Sequence, residues 1–145
     1  TVQFLGSASD EKVTKIRKEV EKVVSSINPF ALTISETGCF PNTSKPSVLY
    51  LGVGGNIEAL KALVVKINDK MSQIGFKKNS ESFIPHITLA KINYPQKFNP
   101  DLSIFLNSTY DEVEFSVDKI QLLESKTLTE GVVYETLNTF SFLEK

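Results

Sequence analysis

The 145-residue sequence is poor in histidine and cysteine: it has one histidine, His86, and one cysteine, Cys39. A single cysteine excludes a disulfide within the chain and a cysteine-based metal cluster. One histidine and one cysteine also fall short of the ligand sets that hold zinc and similar ions. We therefore predict no metal and no other cofactor, and the reducing cytoplasm is the simplest location.

The sequence also lacks long apolar runs and blocks of charge of one sign. No apolar segment approaches the roughly 20 residues of a membrane-spanning helix, and no secretory signal is visible, so we expect no membrane contact. The formal net charge is −1, from 16 basic and 17 acidic residues. This balance argues against a general nucleic-acid coater, whereas a small RNA end or a nucleotide needs only a local cationic pocket.

What the sequence does have is clear periodicity. Its length and its 41% hydrophobic content fit a single globular domain over residues 1–145. Helical spacing of apolar residues predicts helices over 10–27 and 57–74, with N-cap residues just before the first and Gly75 capping the second. A short helix is predicted over 102–106, and loops over 38–46, 79–83 and 95–101.

Alternating apolar residues predict the strands. They lie at 1–5, 30–34, 48–53, 113–117, 119–123 and 132–142, and a further strand opens at Pro85 and carries His86. The order β-α-β-β-α-β, followed by a β-rich end, predicts an α+β fold with antiparallel sheets and helices outside them.

His86 lies in a motif that suits phosphate chemistry. His86 and Thr88 are two residues apart on a predicted strand, so both side chains point to the same face. A proton-transfer group then stands beside a hydroxyl donor, and the cation of Lys91 follows, which together suit a phosphate under attack. The alternative is a lone histidine that caps or packs, because a bare His-x-Thr is common by chance.

Several segments in order extend this motif into a family resemblance that covers nearly the whole chain. They lie at 1–6, 38–42, 46–53, 83–90, 122–125 and 132–135. In order and spacing they resemble the 2H phosphoesterases. The closest branch is the bacterial and archaeal RNA 2′,3′-cyclic phosphodiesterases, historically called 2′-5′ RNA ligases.

The resemblance implies a bilobal, pseudo-twofold α+β fold in which two His-x-Thr motifs face each other across a central cleft. His86 and Thr88 match the second motif. Thr1 matches the end of the first motif, whose histidine would lie two residues before Thr1. Members of the family also begin with a strand and a helix that have no counterpart in this sequence. We therefore expect an N-terminally incomplete 2H phosphoesterase domain.

The resemblance further implies metal-independent opening of RNA 2′,3′-cyclic phosphate ends to 2′-phosphates, together with reversible 2′-5′ ligation of RNA ends. Of the two histidines, one acts as base and the other as acid. We favour His86 as the base that activates water, and the roles exchange in the reverse reaction. The hydroxyls of Thr1 and Thr88 donate to the non-bridging phosphate oxygens, where charge develops.

Three further residues are predicted to bind the substrate. Lys91 stands where relatives often carry arginine, and it keeps the charge but lacks the planar two-donor fork. Phe4 and Phe83 are candidates to stack on a base of a single-stranded RNA end. A surface role for Lys91 and core packing for the two phenylalanines are the alternatives. We expect a monomer whose partners are RNA ends or nucleotides with a 2′,3′-cyclic phosphate.

Two other interpretations of the whole chain stay open. One is a non-catalytic module of the same fold that binds nucleotides or RNA. The other is an unrelated α+β domain with a chance His-x-Thr triplet, which the ordered set of motifs makes the weaker alternative.

Overall fold

The computed structural model describes residues 1–78, 82–92 and 101–143, so most of the predicted loops at 79–83 and 95–101 lie outside the described residues. Two compact units divide the chain. Unit 1 comprises Thr1–Phe30, Glu58–Ser82 and Ser116–Lys145, and unit 2 comprises Ala31–Ile57 and Phe83–Phe115. The prediction of one domain over 1–145 stays a prediction.

Nine elements follow one another along the described chain. They are α1 (Asp10–Val24), β1 (Phe30–Phe40), β2 (Val48–Gly55), α2 (Ile57–Gln73), β3 (His86–Lys91), α3 (Ser103–Leu106), β4 (Val113–Val117), β5 (Lys119–Leu128) and β6 (Gly131–Ser141). No helix in these ranges is long and apolar enough to cross a membrane.

Helix α1 confirms the helical pattern read from the sequence. The side chain of Ser9 accepts a hydrogen bond from the backbone N–H of Lys12 at 3.4 Å and so caps the N-terminus. Ile16, Val20 and Val24 form one buried stripe, as the 3.6-residue period requires. The helix ends at Val24, three residues earlier than predicted.

Helix α2 packs a broader face than its predicted stripe. Val64, Ile67 and Met71 are buried as expected, and Leu63 is fully buried beside them. Gly75 adopts a φ of 90°, and the next N–H, that of Phe76, donates to the carbonyl of Met71. This confirms the predicted glycine cap, because the left-handed conformation after a helix favours glycine.

A β-hairpin completes the regular structure of unit 1. Strands β5 and β6 pair antiparallel from Lys119 opposite Ser141 to Leu128 opposite Gly131, with a bulge after Leu122. The hairpin is longer than the predicted strand 119–123, which reached only half of β5.

The N-terminal segment does not form the predicted strand. Residues 1–9 have no regular secondary structure. The prediction of a strand over 1–5 was wrong, because alternation alone does not make a strand without a neighbour to bond its backbone groups. The only sheet pairing recorded for the described part of unit 1 is that of β5 with β6.

Unit 2 is built on a four-stranded sheet in the order β3-β2-β1-β4. Strand β2 pairs antiparallel with both β1 and β3. Strand β1 continues through Gly38, Cys39 and Phe40, which were predicted as loop. The prediction was wrong because these residues pair with 48–50 across the sheet, a long-range contact that local composition does not reveal. The α+β class itself is confirmed.

Candidate active site

Strand β3 places the His-x-Thr motif on one face of the sheet in unit 2. His86 lies opposite Gly52, and Thr88 lies opposite Tyr50. Successive residues of a strand alternate between faces, so the imidazole and the hydroxyl project from the same side. His86 is half-buried and Thr88 is exposed, and the opposing Gly52 has no side chain to crowd the imidazole.

A bulge brings Lys91 to that same face. Regular alternation would put Lys91, five residues after His86, on the opposite side. The register shifts between Thr88 and Ala90, however, and Lys91 lies opposite Val48. Val48 and Tyr50 share a face of β2, so Lys91 shares the face of Thr88. The bulge therefore aligns the cation with the motif, and Lys91 is exposed.

The backbone fixes the tautomer of His86. Its Nδ1 lies 2.7 Å from the carbonyl oxygen of Ile84. A carbonyl can only accept a hydrogen bond, so Nδ1 carries the proton. In the neutral ring Nε2 is then an unprotonated acceptor, which is the state that a general base requires.

Two aromatic rings contact the imidazole of His86. The site prediction did not include them. Phe40 and Tyr50 stack with ring centroids 4.3 Å apart. His86 meets both rings edge-on, at 5.1 Å from Phe40 and 5.6 Å from Tyr50. Both rings lie in segments that carried the family resemblance, yet only the pairing of β1, β2 and β3 brings them to His86.

The remaining predicted residues lie outside strand β3. Phe83 is half-buried ahead of β3 in unit 2. Thr1 and Phe4 belong to unit 1, where Thr1 is exposed and Phe4 is 77% exposed. That exposure argues against core packing of Phe4. Thus His86, Thr88 and Lys91 share one sheet face, and the roles of Thr1, Phe4 and Phe83 stay predictions.

Described residues offer no group of three or more histidine, cysteine, aspartate or glutamate side chains that could hold a metal ion. The face around His86 instead presents an imidazole, a hydroxyl, an ammonium group and two aromatic rings. Such a set can move a proton, donate hydrogen bonds to phosphate oxygens and attract negative charge.

Comparison with solved structures shows the fold. The crystal structure of Escherichia coli LigT complexed with 3′-AMP superposes with a TM-score of 0.79 at 20% sequence identity, over 99% of this chain and 76% of that one. A protein of Thermus thermophilus, TT0787, gives a TM-score of 0.78 at 23% identity, over 98% and 76% of the two chains.

Comparison of sequences shows the family. The model of the 2′-5′ RNA ligase superfamily matches residues 1–128. The RNA 2′,3′-cyclic phosphodiesterase of Aquifex aeolicus is 31% identical over 147 aligned positions, which cover 97% of this chain and 75% of the relative. The chain therefore belongs to the 2′-5′ RNA ligase superfamily, and the resemblance inferred from its motifs is confirmed.

Proposed function

We propose that the protein hydrolyses RNA 2′,3′-cyclic phosphate ends to 2′-phosphates without a metal, and that it ligates RNA ends reversibly through a 2′-5′ bond when a 5′-hydroxyl takes the place of water. Relatives at 26–31% identity over most of this chain carry the name RNA 2′,3′-cyclic phosphodiesterase. One structural observation carries the proposal: the hydrogen bond at Nδ1 leaves Nε2 as the unprotonated nitrogen of a neutral His86 ring, on the same sheet face as Thr88 and Lys91.

His86 acts as the general base in the forward reaction. Its Nε2 takes a proton from water as the water oxygen forms a bond to phosphorus. The bond from phosphorus to the ribose 3′ oxygen breaks, and that oxygen receives a proton from a general acid. The family resemblance assigns the acid to the histidine of the other motif. Each such proton transfer contributes roughly 10²–10⁴ in rate.

Thr88 and Lys91 stabilise the charge that develops on the phosphate. The Thr88 hydroxyl donates to a non-bridging oxygen, and a preorganised donor of this kind is effective because charge grows there in the transition state. The Lys91 ammonium attracts the phosphate as a point charge and holds it less rigidly than the fork of an arginine would.

We further propose a monomeric protein that works in the cytoplasm. Its one thiol, Cys39, is free, which fits a reducing compartment. Size-exclusion chromatography with light scattering tests the monomer, and a dimer mass would contradict it.

The test uses the full-length protein and a short RNA that ends in a 2′,3′-cyclic phosphate, in the presence of EDTA. We expect ring opening at the same rate as without EDTA, and a product that carries its phosphate on the 2′ oxygen. A matched RNA that ends in a linear 3′-phosphate is the control and should remain unchanged.

Three results would contradict the proposal. Loss of activity in EDTA would argue for a metal. A 3′-phosphate product would place the cleavage at the wrong ester bond. Binding of the RNA end without turnover would favour the alternative of a nucleotide- or RNA-binding module.

A further inference from the structure

A glycine in β1 gives the Tyr50 ring its place next to the imidazole. Gly38 lies directly opposite Tyr50 in the β1–β2 pair. A β-carbon on Gly38 would lie 2.7 Å from Cε2 of Tyr50, and closer still to Cζ and Oη. Tyr50 therefore lies flat across the backbone of Gly38, a position that any other residue at 38 would deny it.

The Tyr50 ring is one of two aromatic rings that contact the imidazole of His86. Phe40, two residues beyond Gly38 on the same face of β1, stacks on Tyr50. The imidazole meets both rings with interplanar angles of 81° and 63°. Edge-to-face contact is one of the favoured geometries between rings, so the two rings and the Ile84 carbonyl together restrain the imidazole.

We propose that Gly38, Phe40 and Tyr50 are positioning residues for the proton transfer at His86. The stacked rings restrain the plane of the imidazole, and the Ile84 carbonyl keeps the proton on Nδ1. Gly38, which has no side chain, leaves the space that the Tyr50 ring occupies. This inference rests on the proposed function of His86 as a general base. It assigns a role to three residues that supply no proton and no hydrogen bond to the phosphate.

The chain offers a matched control for the glycine. A β-carbon on Gly54 would lie 2.8 Å from the Thr33 hydroxyl oxygen. Gly54→Ala thus crowds the same pair of strands by the same added methyl group, but against Thr33 rather than Tyr50. Any general weakening of the sheet affects both variants.

The experiment compares full-length wild type with Gly38→Ala, Tyr50→Leu, Tyr50→Phe and Gly54→Ala on the cyclic-phosphate RNA. We expect Gly38→Ala and Tyr50→Leu to lower kcat by about 10–10²-fold with little change in KM, because small misplacements of a catalytic group have effects of this size. Tyr50→Phe keeps the ring, so its kcat should stay near that of wild type. Gly54→Ala should also keep kcat.

The double variant Gly38→Ala/Tyr50→Leu tests whether Gly38 acts through Tyr50. If it does, the double variant should lose no more kcat than Tyr50→Leu alone, since the second change removes the ring that the first displaces. Multiplication of the two losses would contradict that link.

A spectroscopic measurement separates this inference from the proposed function. In protein labelled with ¹⁵N-histidine, the His86 signals are identified by their absence in His86→Ala. We expect wild type to show the tautomer protonated on Nδ1, and Gly38→Ala and Tyr50→Leu to show a mixture. An unchanged tautomer and unchanged kcat in both variants would overturn the inference.

Two kinetic patterns would also overturn it. A rise in KM with unchanged kcat would mean that the rings bind a base of the RNA. An equal loss of kcat in Gly54→Ala would mean that only sheet integrity matters. If wild type does not open cyclic phosphates at all, the proposed function fails, while the tautomer measurement still decides whether the rings restrain His86.

Discussion

The two units of the chain differ in how many apolar side chains they bury. Unit 1 holds almost all of the buried apolar residues in the described chain, and only Leu32 and Pro46 of that set lie in unit 2. Unit 2 instead carries the face with His86, Thr88 and Lys91. It also contains two register shifts, against one in the hairpin of unit 1, and Glu36 at a φ of 63°, a conformation uncommon outside glycine.

The comparison teaches that core formation and chemistry draw on different sequence features in this chain. The buried set of unit 1 follows the helical period of α1 and α2, joined by Phe140 and Phe142 of the hairpin region. The site of unit 2 depends on bulges, glycines and cross-strand neighbours. We therefore expect substitutions in unit 1 to change stability more than activity, and substitutions on the His86 face to do the reverse.

The largest change in stability should follow from Leu63→Ala in α2. Leu63 is fully buried, and deleting a buried leucine side chain destabilises a protein by about 2–5 kcal/mol through lost burial and a residual cavity. Denaturant unfolding measures the loss, with Val65→Ala on the exposed side of α2 as the control. Equal stability of the two variants would contradict the assignment of the core.

The next effect, on activity, should follow from Thr88→Val, which keeps the shape but removes the hydroxyl. Loss of one preorganised donor lowers kcat by about 10²–10³-fold. Thr127→Val on the exposed hairpin strand β5 is the matched control and should leave kcat unchanged. Wild-type kcat in Thr88→Val would remove Thr88 from the mechanism.

A smaller effect should follow from Lys91→Met, because an exposed cation acts through a screened field. We expect kcat/KM to fall by about tenfold, which corresponds to about 1.4 kcal/mol, and the salt dependence of kcat/KM to weaken. Lys91→Arg should retain activity, and Lys66→Met on the exposed surface of α2 serves as control. An unchanged salt dependence in Lys91→Met would support the surface interpretation of this lysine.

The smallest effect should follow from Glu135→Gln on the hairpin. The Lys126 ammonium lies 2.5 Å from the Glu135 carboxylate and lowers its pKa, while the same hydrogen bond raises the pKa of Lys126. Both groups are exposed, so solvent screens the pair and the loss of Tm at pH 7 should be slight.

The sign of the pH dependence follows from the lowered pKa of Glu135. The pair stabilises the folded state above the pKa of the unfolded chain, near pH 4, and loses this effect as pH falls through the lower folded pKa. The Tm difference between wild type and Glu135→Gln should therefore vanish in strong acid. A Tm difference that grows on acidification would contradict the sign.

Local patterns were enough to predict the two long helices of unit 1 and part of the motif on β3. The helix stripes, the cap at Ser9 and the cap at Gly75 are read from residues within a few positions of one another. The shared face of His86 and Thr88 likewise needs only the two-residue period of a strand. Such features are predictable because their physical cause lies within one element.

Features that depend on cross-strand pairing could not be read in this way. The strand through Gly38 and Phe40 exists because 48–50 pairs with it, and Lys91 reaches the motif face through a bulge. The contact of Tyr50 with His86 joins two strands far apart in sequence. The predicted strand at 1–5 failed for the same reason, since its alternation has no described partner strand.

The central claim is that the His86 face carries the chemistry, and His86→Ala in the full-length protein tests it most directly. The rate of cyclic-phosphate opening in EDTA and the Tm are measured on the same preparation. We predict a fall in rate of roughly 10²–10⁴-fold, with a Tm close to that of wild type. Undiminished ring opening by His86→Ala would contradict the account.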